Sequence, residues 1–194
     1  MSANDVETIS TVEESLTGTY NLDPAHTRLA FVARHAMVTK VRGHFNEFSG
    51  VLSINAEDPS KSSAEVSIDV ASVTTGNEDR DNHLRTNDFF DVPNFPSWSF
   101  KSTSAEKVGE DTYRITGDLT IKDTTQPISI DFEHTGAVKD PWGNTRIGFE
   151  GRTTVNRKDW GVGWNVALEA GGVLVGEKVT LELDVSAVKE QPAA

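Results

Sequence analysis

The chain has 194 residues, with 18 Lys+Arg against 30 Asp+Glu for a net charge of −12, and no cysteine. That length favours a single core, and the charge repels phosphate backbones and anionic headgroups, which argues against nucleic-acid binding and electrostatic membrane docking. The missing thiols exclude disulfides, thiolate metal sites, iron–sulfur clusters and cysteine nucleophiles.

Residues 1–17 hold Asp5, Glu7, Glu13 and Glu14 among Ser and Thr, with no basic start and no apolar run. They are expected to form a mobile acidic tail. A secretory signal needs a run of roughly 7–15 apolar residues, so the chain as given is expected to be cytoplasmic, or periplasmic or secreted if it is a processed form. Nothing reaches the roughly 18 apolar residues of a spanning helix.

From Thr19 onward the pattern has period two, as in strands with one buried face. Leu29, Phe31 and Ala33 alternate with Ala30, Val32 and Arg34. Val41, Gly43 and Phe45 share a parity that slips at Asn46-Glu47, since Phe48, Leu52 and Ile54 take the other one, and this predicts a bulge or sharp bend. Ala64, Val66, Ile68 and Val70 form the next apolar face. Residues 76–90 break the alternation: Asp79, Arg80, His83, Leu84 and Asn87 have helical spacing and predict a short helix. The aromatic run that follows, through Phe89, Phe90 and Phe95, carries Pro93 and Pro96 and predicts a lid over one barrel mouth.

Alternation resumes through Tyr113, Ile115, Leu119 and Ile121, then Ile128, Ile130 and Phe132, and finally Val179, Leu181, Leu183 and Val185. Turn signals at Asp58-Pro59-Ser60, residues 108–111 and residues 140–144 make neighbouring strands hairpins. Glycines inside strand patterns permit the coiling that closure needs. The expected fold is all-β, a single antiparallel up-and-down barrel over residues 18–188, with residues 189–194 frayed.

His26, His35 and His44 fall nine residues apart, but that spacing does not converge three ligands on a metal. No nucleophile elbow or phosphate-binding loop is present. Asp79, Asp81, Asp88 and Asp91 could form an acid/base pair, although solvated carboxylates are the simpler reading. No catalytic residue, metal or cofactor is assigned. The aromatics Phe31, Phe45, Phe89, Phe90, Trp98, Phe100, Phe132, Phe149, Trp160 and Trp164, together with Leu84, Ile115, Leu119 and Ile121, either fill a packed core or line an elongated apolar cavity. A barrel of roughly eight strands is just wide enough for one slender ligand.

Several segments in this order resemble the YceI-like family of lipocalin-like proteins. They are residues 20–27 leading into Phe31-Val32-Ala33-Arg34-His35, then Val41-Arg42-Gly43-His44-Phe45, residues 79–85, Asp88-Phe89-Phe90-Asp91, and Asn156-Arg157-Lys158-Asp159-Trp160-Gly161. The resemblance implies an eight-stranded antiparallel barrel with a helical segment between strands. It implies a non-catalytic protein that binds a long amphiphilic isoprenoid, such as a polyprenyl phosphate or a quinone-like lipid. A headgroup at the mouth could meet Arg34, His35, Arg80, His83 or Arg85, unless these pair with neighbouring Asp residues. The alternatives are an interaction barrel without a specific ligand and an enzyme using the polar mouth; a homodimer is possible.

Overall fold

The computed structural model describes residues 16–192. The expected acidic tail lies outside the described residues as far as residue 15. Eleven strands follow one another as β1 (Gly18–Leu22), β2 (Arg28–His35), β3 (Thr39–Phe45), β4 (Phe48–Ile54), β5 (Ser63–Asp69), β6 (Val73–Thr74), β7 (Ser97–Lys107), β8 (Thr112–Ile121), β9 (Thr124–Lys139), β10 (Thr145–Asn156) and β11 (Lys178–Lys189). An α-helix, α1 (Glu78–Arg85), interrupts them between β6 and β7.

Every pairing is antiparallel, and β11 closes the sheet by bonding both β1 and β2 on its free side. β1 and β2 together make one long stave, and β3 and β4 make the next. With β5, β7, β8, β9, β10 and β11 this gives a closed eight-stranded up-and-down barrel. The short β6 pairs only with the end of β3.

The parity slip at Asn46-Glu47 is the bend between β3 and β4. Its freed backbone donors are satisfied from outside the stave: Asn46 N–H donates to Ser72 O at 3.2 Å and Glu47 N–H to Ser72 Oγ at 2.9 Å. The bend splits the interior. Phe45 packs with Val70, Val73, Phe89, Phe90, Trp98 and Val162, whereas Phe48 packs against Tyr20, Leu22, Leu52, Ile147 and Ala187. Glycine has a second use here besides coiling. The Phe31 and Phe132 rings lie flat over Gly43 and Gly151, which face them across the strand pairs, and a Cβ at either glycine would collide with the ring.

α1 is shorter than residues 76–90. Asn77 caps it by accepting from Arg80 N–H at 2.9 Å, acidic residues fill its first turn, and His83 and Arg85 its last, each matched to the helix dipole. Beyond Thr86 the chain turns instead, with Phe89 and Asp91 N–H donating to Thr86 O and Phe90 N–H to Leu84 O. This crossover, the β2–β3 turn, the β8–β9 turn and the β10–β11 connection all gather at one barrel end, here called the crossover end. At the opposite end Lys189 lies within β11, and Glu190 N–H donates to Thr19 O at 2.7 Å.

Candidate ligand cavity

The inward faces of the staves enclose an almost wholly apolar cavity of about 290 Å3. It runs from Ser62 and Ser63 at one end to Leu84, Val162 and Val175 at the other. Thirteen of the fourteen apolar residues singled out from the sequence line it. Phe31, Phe45, Leu84, Phe89, Phe90 and Trp98 form the wall toward the crossover end, while Phe100, Ile115, Leu119, Ile121, Phe132, Phe149 and Trp160 continue it along β7–β10 and the turn after β10. Edge-on ring contacts knit the crossover end together, with Phe45 and Trp98 centroids 5.0 Å apart and Phe90 and Trp98 at 4.8 Å.

Trp164 is the exception and does not line the cavity. It sits beyond the strand pattern, its ring 4.8 Å from that of His83 and 5.2 Å from that of Phe89, and packs half-buried against the core cluster at the crossover end.

The residues expected at a polar mouth stand outside the cavity lining. None of Arg34, His35, Arg80, His83 and Arg85 lines the cavity. Arg34 Nη1 donates to Val38 O, Arg80 to Thr75 Oγ1 and Thr75 O, and Arg85 to Ala71 O, Asn82 Oδ1 and Val73 O. The two crossover arginines therefore tie α1 to the chain before it, with backbone carbonyls rather than aspartates as their main partners. His83 alone meets a carboxylate, with Nε2 2.8 Å from Asp88 Oδ2. His35 joins the barrel end through an isolated bridge to Val175.

Three of the four crossover aspartates, Asp81, Asp88 and Asp91, are engaged locally. Buried Asp81 accepts from Thr75 N–H and Oγ1, and Asp91 from Asn94 Nδ2. Among the described residues no three His, Asp or Glu side chains are grouped so as to hold a metal ion.

The charged residue on the cavity wall is Arg157, which sequence reasoning quoted only as part of a motif. It lies in a single 3-10 turn, Arg157–Trp160, capped at the start by Asn156 and ended by Gly161 at φ 73°. That left-handed glycine, which lets the chain stop after one turn, is the sequence signal that residues 157–160 fold back over the barrel. Trp160 Nε1 donates to Leu119 O at 2.8 Å and fixes the turn across the end. Only 7% exposed, Arg157 donates to Val162 O at 2.7 Å, Gly176 O at 2.9 Å and Val175 O at 3.2 Å.

Burial holds the Arg157 guanidinium below its ordinary value, partly offset by the Glu177 charge. Glu177 itself is bonded to Lys158, which keeps its carboxyl below the usual range. No carboxylate is hydrogen-bonded to Arg157 among the described residues, so three carbonyl dipoles solvate its charge. The buried Trp98 indole N–H, on the same wall, has no acceptor among the described residues.

A family model described as the YceI-like domain matches residues 20–187. The chain belongs to the YceI-like family. A UPF0312 protein of Pectobacterium carotovorum is 32% identical over 193 residues, covering 98% of this chain and 97% of its own, and one from Staphylococcus epidermidis is 37% identical over 164 residues, covering 84% and 93%. Among solved structures, BcnA of Burkholderia cenocepacia superposes with a TM-score of 0.75 at 22% identity, covering 85% of this chain and 98% of its own. A polyisoprenoid binding domain from Saccharophagus degradans, implicated in plant cell wall breakdown, gives 0.68 at 16% identity, covering 88% and 98%. At these identities the two superpositions establish a shared YceI-like barrel.

Proposed function

We propose that this YceI-like protein is a non-catalytic binding protein. It holds the chain of a long amphiphilic isoprenoid, a polyprenyl phosphate or quinone-like lipid, inside its barrel for carriage, storage or sequestration. The carrying observation is the continuous apolar cavity through a closed barrel whose inward aromatics leave space along the axis. Protein interiors are normally packed with few voids larger than a water molecule. The Saccharophagus degradans domain of the same fold, described as polyisoprenoid-binding, supports the ligand class.

An apolar chain gains about 25 cal/mol per Å² removed from water, so some 200 Å² contributes about 5 kcal/mol without any polar anchor. The head is then the specifying element. A phosphate or quinone carbonyl at the crossover end meets Arg157, whose positive charge has no hydrogen-bonded carboxylate. A non-catalytic reading is supported by the engagement of three of the four crossover aspartates, Asp81 with Thr75, Asp88 with His83 and Asp91 with Asn94.

Native mass spectrometry of the intact protein purified without detergent should show a bound species of isoprenoid mass that organic extraction releases. Repeated failure to find any lipid, with the interior filled by side chains at high resolution, would favour the interaction-barrel alternative.

A further inference from the structure

In a chain of net charge −12, residues 28–46 contain Arg28, Arg34, Lys40 and Arg42, two histidines, and neither Asp nor Glu. This stretch is the β2–β3 hairpin, and its tip breaks three local rules at once. First, Ala36 and Met37 take left-handed φ of 50° and 63°, with Val38 N–H donating to His35 O. Such geometry ordinarily selects Asn or Gly and costs other residues energy. Second, the tip is apolar yet wet, with Met37 62% and Val38 76% exposed. Third, Arg34 and Lys40 stand directly opposite each other across the strands, and like charges there repel.

The tip is also held firmly. Ala36 N–H donates to Leu174 O at 2.7 Å, Gly176 N–H donates to Arg34 O at 2.8 Å, and the Met37 sulfur lies where a side chain on Gly172 would be. The supporting β10–β11 connection adds exposed Val166 and, through Val175, forms part of the cavity wall. Glu169 is the acidic residue between positions 161 and 176. Arg42 lies 3.7 Å from Glu182, whereas Lys40 has no carboxylate partner among the described residues.

We propose that this hairpin tip, with the β10–β11 connection behind it, docks the crossover end of the barrel onto an anionic bilayer surface. Each broken rule becomes favourable there. The left-handed turn presents two apolar side chains outward to enter the acyl boundary, and Arg34 and Lys40 meet lipid phosphates on either side instead of each other. A tip of three residues is too small for a stable protein interface, which needs about 1,000 Å² or more. It is large enough for interfacial insertion aided by charge. Contact through the tip brings the cavity end of the barrel toward the lipid.

This deepens the lipid-binding reading and rests on it for the purpose of docking, although the surface can be tested separately. Because the chain lacks cysteine, Val38→Cys accepts one environment-sensitive fluorophore in the full-length protein. Trp142→Cys, at an 82% exposed position in the β9–β10 turn at the opposite end, serves as the control. With vesicles of phosphatidylcholine containing a third phosphatidylglycerol at low salt, the label at 38 should shift blue and brighten while that at 142 stays unchanged. Pure phosphatidylcholine or 0.5 M salt should suppress the response.

Arg34→Gln with Lys40→Gln should lower vesicle partitioning about 30-fold, at about 1 kcal/mol per basic residue near the surface. These positions are surface-exposed, so thermal unfolding should be little changed. An unresponsive label at 38, an equal response at 142, or a concentration-dependent dimer that shields residue 38 without vesicles would overturn the proposal. Extractable lipid with no vesicle response sinks the docking surface alone; a vesicle response with an empty, packed interior sinks the cavity reading alone.

Discussion

Asp23 fixes the place where the first stave passes from β1 to β2. Its carboxylate accepts from Arg146 Nη1 at 2.6 Å and from Ala25 N–H at 3.0 Å, with His26 Nδ1 at 2.7 Å, and it is only 17% exposed. Burial alone would raise its pKa, but the bonds from Arg146, His26 and Ala25 hold the carboxyl below the usual range. A lowered folded value means the contribution is complete above the unfolded carboxyl value near 4 and is lost as the pH falls through the folded one. Asp23→Asn is therefore expected to cost about 2 kcal/mol at pH 7. Urea unfolding of both proteins from pH 7 down to pH 2 should show the two curves converging in acid.

The same contrast explains what could be read in advance. Phe31 and Phe132 were placeable because a strand puts alternate residues on one side. Arg80 and Arg85 were not, because the carbonyls of Thr75, Ala71 and Val73 that receive them exist only once the crossover has folded.

The β10–β11 connection shows how an irregular segment is held without a regular ladder. Asn165 Oδ1 accepts from Val175 N–H at 2.9 Å, Leu174 N–H donates to Val166 O at 2.9 Å, and Arg157 gathers the carbonyls of Val162, Val175 and Gly176. Arg157→Met would remove the guanidinium donor from Val162 O and Gly176 O, while Val175 O keeps Asn165 Nδ2, at an expected cost of about 2 kcal/mol. Hydrogen exchange should quicken first at the amides of Leu174, Val175 and Gly176, while the β8 and β9 amides keep their protection. Equal loss throughout would mean that Arg157 supports the whole barrel instead.

Trp164 lies where the sequence gives less guidance. Once the two-residue period ends at Asn156, nothing in the spacing tells which way a side chain turns, and Trp164 packs on His83 and Phe89 without lining the cavity. The bend at Asn46-Glu47 was legible because it lies between two intact periodic runs, which register the slip.

Taken as one body, the closed barrel encloses an apolar cavity of about 290 Å3. A chain bound in the cavity binds the folded state alone, so its removal lowers apparent stability by mass action, by about 2.7 kcal/mol for a ligand at a hundred times its dissociation constant. For a domain of this size that corresponds to a fall in Tm of roughly 5–10 °C. Differential scanning calorimetry before and after solvent extraction and refolding should show the fall, and adding back the extract should reverse it. A Tm indifferent to extraction would mean the lipid adds nothing to the fold. The net charge of −12 is spread unevenly along the chain, since the stretch from Arg28 to Asn46 carries four Lys or Arg and no Asp or Glu.

The partnership of β11 with both β1 and β2 has a consequence in time. Synthesis runs from the amino end, so the first stave waits unpaired on one side until the last strand leaves the ribosome, with about 150 residues intervening between Leu29 and its partner Leu183. Until then the future interior is an open trough of aromatic side chains. The molecule is therefore most exposed to aggregation, and most accessible to any greasy chain nearby, in the moments before its final twelve-residue strand arrives to seal it.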